Sequence, residues 1–394
     1  MLNEKMLKLG TESSAIRQLF EYGKARKAEI GEDKVFDFSI GNPSVPAPKS
    51  VDASIKNLID TEDSVLLHGY TSAPGDMSVR TKIAEYIKEN LGVNATAANI
   101  YMTCGAAASL TVSLTALANE GDEVILLAPF FPEYRVFAER AGFKCVVVNC
   151  CEPDFQIDIE ALGNAINKNT KAIIINSPNN PTGVVFSEET IIQLSSLLNK
   201  KQQEYSKDIF LISDEPYREL VYGDVKVPFP AKYYNNTIVC YSFSKSLSLP
   251  GERIGYIFVS PCCNNAGLVF AAVCGAGRAL GFVCAPSMLQ RVVADNLGKT
   301  ADVSVYNKNR EMLYNSLTEY GYTAVKPDGA FYLFVKSPEA DAAAFAEKAK
   351  KYELLLVPSD SFGIGGYVRI SYCVSTKQIE DSLPAFKALI EEYK

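Results

Sequence analysis

Seven short apolar runs, separated by stretches of helical spacing, constrain this chain more than any other feature. They are IYM at 100–102, EVILL at 123–127, KCVVVN at 144–149, KAIIIN at 171–176, IFLIS at 209–213, TIVCYS at 237–242 and GYIFVS at 255–260. Strands this uniformly apolar cannot leave one face to water, so both faces of their sheet must be covered. The helical patterns at 133–141, 159–166 and 188–199 lie between the runs and supply the cover. The expected fold is α/β, with a mostly parallel seven-stranded sheet flanked by helices.

The flanks read differently. A helix is expected over 13–30, followed by the extended piece VFDFSIGNPSVPAP, whose prolines forbid a helix. A second helix is expected over 76–91, with Val79, Ile83 and Ile87 on one stripe. After Pro286 a long helical pattern runs to about Tyr320. FYLFV, AAAFAEKAKKY, LLLVP, YVRISY and a C-terminal helix follow. A smaller α+β domain built from both chain ends is therefore expected: 50–285 as the large domain, 1–49 and 286–394 as the small one with an N-terminal arm. The length of 394 residues suits such a division.

Several function classes drop out early. A net charge of −7 argues against a general nucleic-acid binder. The 10 cysteines form neither a disulfide framework nor a CxxC pattern, and MLNEKMLKLG has no signal-peptide pattern, so a cytoplasmic protein is expected. The apolar stretch Ala266 to Pro286 carries Arg278 in its middle, which favours a buried segment over a membrane span. His68 is the only histidine, which excludes machinery that needs two, such as most zinc hydrolases and histidine metal sites, and leaves no obvious Ser-His-Asp triad.

The polar motifs fall at the carboxyl ends of the expected strands, where open α/β sheets bind ligands. CGAAA puts Gly105, Ala106 and Ala107 at the start of a helix, where backbone amides suit a phosphate. PNNPTG at 178–183 carries Asn180, and SDEPYREL carries Asp214 and Tyr217. In YSFSKSLSLPGERIG, Lys245 stands among Ser242, Ser244 and Ser246, with Arg253 eight positions on. One amine, several hydroxyls and one guanidinium are what a phosphorylated aldehyde needs. Each motif alone is ordinary: a solvated lysine, a packed helix start, a Pro/Asn turn, a helix cap.

Taken together and in this order, the motifs resemble the pyridoxal-phosphate-dependent aminotransferases of class I/II and fold type I, the aspartate aminotransferase family. The resemblance runs from the GNP of 41–43 to the YVRISY of 367–372. It implies Lys245 as the Schiff-base lysine and proton carrier, Asp214 as partner of the pyridine nitrogen, and Asn180 and Tyr217 on the ring hydroxyl. It implies Phe131 stacked on the ring, where many relatives carry Trp. Ser242, Ser244, Arg253 and the amides at 105–107 would carry the phosphate of pyridoxal 5'-phosphate. Arg369 would grip the substrate α-carboxylate beside Gly41, with Phe131 and Asn180 also at the substrate.

Tyr70 matches a tyrosine that reaches the neighbouring subunit's cofactor, which implies a homodimer with shared sites. The implied reaction is ping-pong transfer between an L-amino acid and a 2-oxo acid, aspartate and 2-oxoglutarate first, with no nucleic acid, membrane or metal involved. One branch of the family has a lysine near Ala107 that this chain lacks. Arg278, set among small apolar residues, is the expected replacement at a distal substrate carboxylate, with a structural ion pair as the alternative. Other readings are an aminotransferase preferring alanine or aromatic amino acids, a carbon–sulfur lyase, or a regulator with an aminotransferase-like sensor. The last needs a DNA-binding module, and Gly41 stands too near the start to leave room for one.

Overall fold

The computed structural model describes residues 2–12 and 14–394. Its central sheet has seven strands: β1 Ile100–Thr103, β2 Glu123–Ala128, β3 Lys144–Asn149, β4 Thr170–Asn176, β5 Phe210–Asp214, β6 Thr237–Ser242 and β7 Gly255–Val259. Their order is β1-β7-β6-β5-β4-β2-β3. Only β7 runs against its neighbours, pairing antiparallel with both β6 and β1. The fold is therefore α/β with a mostly parallel sheet, and the reversal of β7 follows from its short connection to β6, which contains no crossover helix long enough to return the chain.

Alternation along each strand divides the core between the two faces. Val124, Leu126, Ile174 and Ile212 pack on one side with the helices Ala106–Leu117, Glu133–Ala141 and Ala266–Leu280. Ile125, Leu127, Ile173 and Leu211 pack on the other with Ile159–Ala165 and Glu188–Tyr205. A side-chain period of two makes this division unavoidable once both faces are covered. The apolar stretch after residue 265 is the 15-residue helix Ala266–Leu280, laid on the sheet with Val273 and Ala276 buried. Among the described residues no helix is long and apolar enough to cross a membrane. All ten cysteines are free.

The chain ends meet in a second layer. Phe36–Asp37 pairs in parallel with Leu354–Leu355. Strands Thr323–Ala324, Tyr332–Lys336, Val357–Pro358 and Tyr367–Ser371 form an antiparallel four-stranded sheet. Phe38, Tyr306, Phe331, Phe345 and Phe386 fill the space between this sheet and the helices Val303–Tyr320 and Thr376–Glu391.

Some boundaries differ from the sequence reading, each for a local reason. The N-terminal helix runs Ala15–Ile30, capped by the Ser14 side chain on Arg17 N; Ser13, where it was expected to begin, lies outside the described residues. The helix expected over 76–91 is α-helical only at Met77–Tyr86 and widens over Ile87–Leu91. The long pattern after Pro286 is two helices, Ser287–Ala294 and Val303–Tyr320, the second capped by Asp302. Glu188–Tyr205 outlasts its expected end because KKQQE extends it with helix formers that carry no apolar stripe to read.

Candidate active site

Five strand ends and both chain ends converge on one cavity of about 330 Å³. Ala106 and Ala107 follow β1, Phe131 follows β2, Asn180 follows β4, Asp214 and Tyr217 follow β5, and Ser242, Ser244, Lys245 and Arg253 follow β6; all line it. Gly41, Tyr332 and Arg369 line it from the chain-end layer, with Ile16 from the N-terminal helix.

Asp214 ends β5, and its main-chain carbonyl accepts from Asn176 Nδ2 at 2.9 Å. The side chain of Asn176 in turn accepts from Asn180 N at 2.7 Å, so one amide ties two strand ends together. Tyr134 donates its hydroxyl to Asp214 Oδ2. Oδ1 is buried and has no hydrogen-bond partner among the described residues. Burial pushes the Asp214 carboxyl up to about 7, with the Tyr134 hydrogen bond pulling it down and Glu215 raising it.

Lys245 sits in the short helix Phe243–Ser246, capped by the Ser242 side chain, and its Nζ donates to Gly41 O at 2.6 Å. Enclosure by the protein brings the ammonium down to about 8, while Cys373 opposes the shift and Arg253 and Arg369 add to it. Ser242 Oγ donates to Ser244 Oγ at 2.8 Å, and Arg253 Nη1 donates to Ser244 Oγ at 3.3 Å. Gly105 precedes the helix Ala106–Leu117 with φ 89°, and a Cβ there would lie 2.9 Å from Arg253 Nη2. Glycine thus leaves a cradle open between the guanidinium and the unpaired amides of the first helical turn, a site built for an anion.

Arg369 is buried in Tyr367–Ser371, opposite Phe334. Its Nη1 donates to Asn180 Oδ1 at 3.0 Å and its Nη2 to Ser39 O at 2.5 Å. Nε has no partner, and no ion pair holds this arginine among the described residues. Burial lowers the guanidinium, because nothing nearby compensates the charge with an anion. The Phe131 ring stands edge-on to Tyr134, with centroids 5.7 Å apart and 84° between planes.

A buried carboxyl without a cation and a buried cation without an anion therefore face one cavity, beside an amine and an anion cradle. Over residues 33–386 the sequence matches the family described as aminotransferase class I and II. The chain belongs to the class I and II aminotransferases. It is 31% identical over 386 residues to the probable aspartate aminotransferase of Methanocaldococcus jannaschii, covering 96% of this chain and 97% of that one. An aminotransferase crystal structure from Eubacterium rectale matches with TM-score 0.98 at 54% identity, covering 100% of this chain and 99% of the other. The aspartate aminotransferase of Thermotoga maritima matches with TM-score 0.87 at 27% identity, covering 99% and 100%.

Against this aminotransferase frame, three expected site residues are not among those lining the cavity: Gly105, which directly precedes the lining residue Ala106, Tyr70 and Arg278. Tyr70 is 98% exposed. Arg278 lies on the exposed side of Ala266–Leu280, because Val273, Ala276 and Gly277 carry the buried stripe. Arg278 therefore does not serve its own chain's cavity. His68 is likewise exposed, at the end of Ser64–His68.

Tyr134, Ile16 and Tyr332 are among the lining residues that escaped the sequence reading. Tyr134 stood in the APFFPEY motif, three positions beyond Phe131. Ile16 gave no signal beyond helical spacing. Tyr332 gave one: a tyrosine inside an apolar strand must find a partner for its hydroxyl.

Proposed function

We propose that this chain binds pyridoxal 5'-phosphate in the cavity and transfers an amino group between an L-amino acid and a 2-oxo acid, with aspartate and 2-oxoglutarate as the pair. The observation that carries the reading is that Asp214 Oδ1 has no hydrogen-bond partner and the Arg369 guanidinium no ion pair among the described residues, in the cavity that Lys245 also lines. The residues fit the cofactor. Ser242, Ser244, Arg253 and the amides of Ala106 and Ala107 would hold its phosphate, Asp214 its ring nitrogen, Asn180 and Tyr217 its ring oxygen, and Phe131 its face. Bound there, the cofactor supplies an electron sink for the carbanion left when the substrate loses its Cα proton.

The chain's own groups do the rest. An ionised Asp214 carboxylate favours a protonated ring nitrogen, and that cation removes the penalty of the buried charge. Arg369 presents a planar fork to the α-carboxylate and so fixes how the Cα–H bond stands to the ring. Lys245 would take the Cα proton of the bound amino acid and return it across the amino nitrogen. An amine brought down to about 8 can do both near neutral pH.

The aspartate pair is supported by similarity to aspartate aminotransferases across nearly the whole chain. The second carboxylate of such a substrate finds no second arginine free in this cavity, since Arg253 faces the phosphate cradle. We propose that a homodimer supplies the missing contacts, with the exposed Tyr70 and Arg278 of one copy reaching the other's site.

The test is an absorbance spectrum of the purified protein loaded with pyridoxal phosphate, mixed with aspartate and no oxo acid. Conversion of the aldehyde form of the cofactor to its amine form, with one equivalent of oxaloacetate, is expected. A band that persists while ammonia and pyruvate accumulate from a thioether amino acid would establish the lyase instead. A protein that takes up no cofactor would end the proposal.

A further inference from the structure

We infer that Tyr332 is a positioning residue that sets the direction of the Tyr217 hydroxyl and supports the plane of Arg369, linking the cofactor and substrate sides of the cavity. This rests on the cofactor reading above. Tyr332 is 2% exposed and opens the strand Tyr332–Lys336, across the ladder from Ser371. It touches three functional groups at once. Its hydroxyl lies 2.9 Å from that of Tyr217. Its ring lies under the Arg369 guanidinium, 4.6 Å from Cζ to centroid. At Gly41, an added Cβ would fall 2.0 Å from the Tyr332 hydroxyl, so only glycine lets the loop that receives Lys245 Nζ approach this closely.

Proton counting gives the first role. Two phenol hydroxyls facing each other can place only one proton between them, and each owns one. If Tyr217 donated to Tyr332, it would turn a lone pair toward the cavity and could not serve an acceptor there. With Tyr332 as donor, Tyr217 keeps its own O–H for the cofactor's ring oxygen. Accepting one hydrogen bond also strengthens the one it gives.

The second role is geometric. The Arg369 guanidinium is flanked by the Tyr332 ring at 4.6 Å and the Phe362 ring at 5.2 Å. Two aromatic faces hold its plane without competing for the N–H groups that a carboxylate needs. Tyr332 also meets the Tyr217 ring edge-on, with centroids 5.8 Å apart at 83°, so both phenols are fixed by packing as well as by the shared proton.

The experiment separates hydroxyl from ring, using the cofactor-loaded enzyme. In Tyr332→Phe the ring stays and the donor goes. The midpoint of the pH titration of the bound cofactor's absorbance should rise by at least about half a unit, with KM for the amino donor changed less than about twofold. In Tyr332→Leu the same spectral shift should come with a KM at least about tenfold higher for both amino and oxo substrates. The double variant Tyr217→Phe, Tyr332→Phe should titrate like Tyr217→Phe alone, because the hydroxyl of Tyr332 acts through Tyr217. A Tyr332→Phe enzyme that titrates like the parent would overturn the donor role, whatever becomes of the leucine variant. Additive shifts in the double variant would equally overturn it. A parent protein showing no cofactor band at all would instead remove the reading on which this one rests, a different and distinguishable failure.

Discussion

The two sides of the cavity are built by opposite means. On the cofactor side, Ser242 and Asp214 end strands β6 and β5, and the side chain of Asn176 at the end of β4 fixes Asn180, so groups on or next to main-chain ladders place this side. On the substrate side, Gly41 and Arg369 are held by bonds that span the chain: Lys245 to Gly41 O, Arg369 to Asn180 and to Ser39 O. A sheet edge holds its residues cheaply and rigidly. A site half assembled from chain ends depends on the packing between layers, and that packing is where closure or misplacement would act. The comparison predicts that substitutions on the first side change how cofactor is held, while those on the second change substrate binding and leave cofactor in place.

Lys245 stands between the two sides and should give the largest effect. Lys245→Ala removes the proton carrier, and general acid–base catalysis alone contributes on the order of 10²–10⁴-fold. Single-turnover conversion of loaded enzyme by aspartate should fall at least that far. A loss under tenfold would mean that another group moves the proton.

Arg369→Ala is the sharpest test of the separation. Truncating one partner of a buried charge contact costs about 2–5 kcal/mol, and kcat/KM should drop accordingly for every substrate with an α-carboxylate. The absorbance of bound cofactor should not change. If the variant also loses cofactor, the two sides are not independent, and the Arg369–Asn180 bond becomes the place where they couple.

The same division explains what could be read from sequence. The strand runs announced themselves because fully buried strands have no polar alternation, and the motifs at their ends sat in fixed order. Lys245, Asp214 and Asn180 were therefore visible as a set. Ile16 was not, and Tyr332 showed only a hydroxyl in need of a partner, since their places in the site depend on long-range packing. The exposure of Arg278 was hidden for the complementary reason: the run around it is apolar, but the helix turns Val273, Ala276 and Gly277 to the sheet and the guanidinium outward. The break between Ala294 and Val303 was hidden by apolar residues that keep the helical beat through a non-helical turn.

Asp214 offers a stability test confined to the cofactor side. In the folded chain its carboxyl titrates at about 7, against 3.8 for the ordinary group. Between those values the folded protein holds a proton that the unfolded chain has released. Stability therefore falls as pH rises through this window, and the full cost is present above pH 7. Asp214→Asn removes that titration. The cofactor-free variant should be more stable than the parent at pH 8, by up to about 4 kcal/mol, and the difference should vanish by pH 4. Adding pyridoxal phosphate should raise the melting temperature of the parent more than that of the variant. A variant less stable than its parent at pH 8 would show that the Tyr134 hydrogen bond already compensates the buried charge.

The smallest effect concerns pH and the bare amine. Only neutral Lys245 can attack the cofactor's aldehyde carbon, and its ammonium is brought down to about 8. Below that value the neutral fraction falls tenfold per pH unit, and above it the fraction levels off. Uptake of pyridoxal phosphate by cofactor-free protein, followed in a stopped-flow absorbance experiment, should follow that curve between pH 6 and 9. An ordinary lysine near 10.5 would leave the rate still climbing at pH 9. Arg369→Ala removes one of the two cations that hold the amine down, the other being Arg253, so in that variant the curve should move to higher pH by a fraction of a unit. A profile that stays fixed would mean that enclosure alone tunes the amine, and that the substrate side leaves the cofactor side electrostatically untouched.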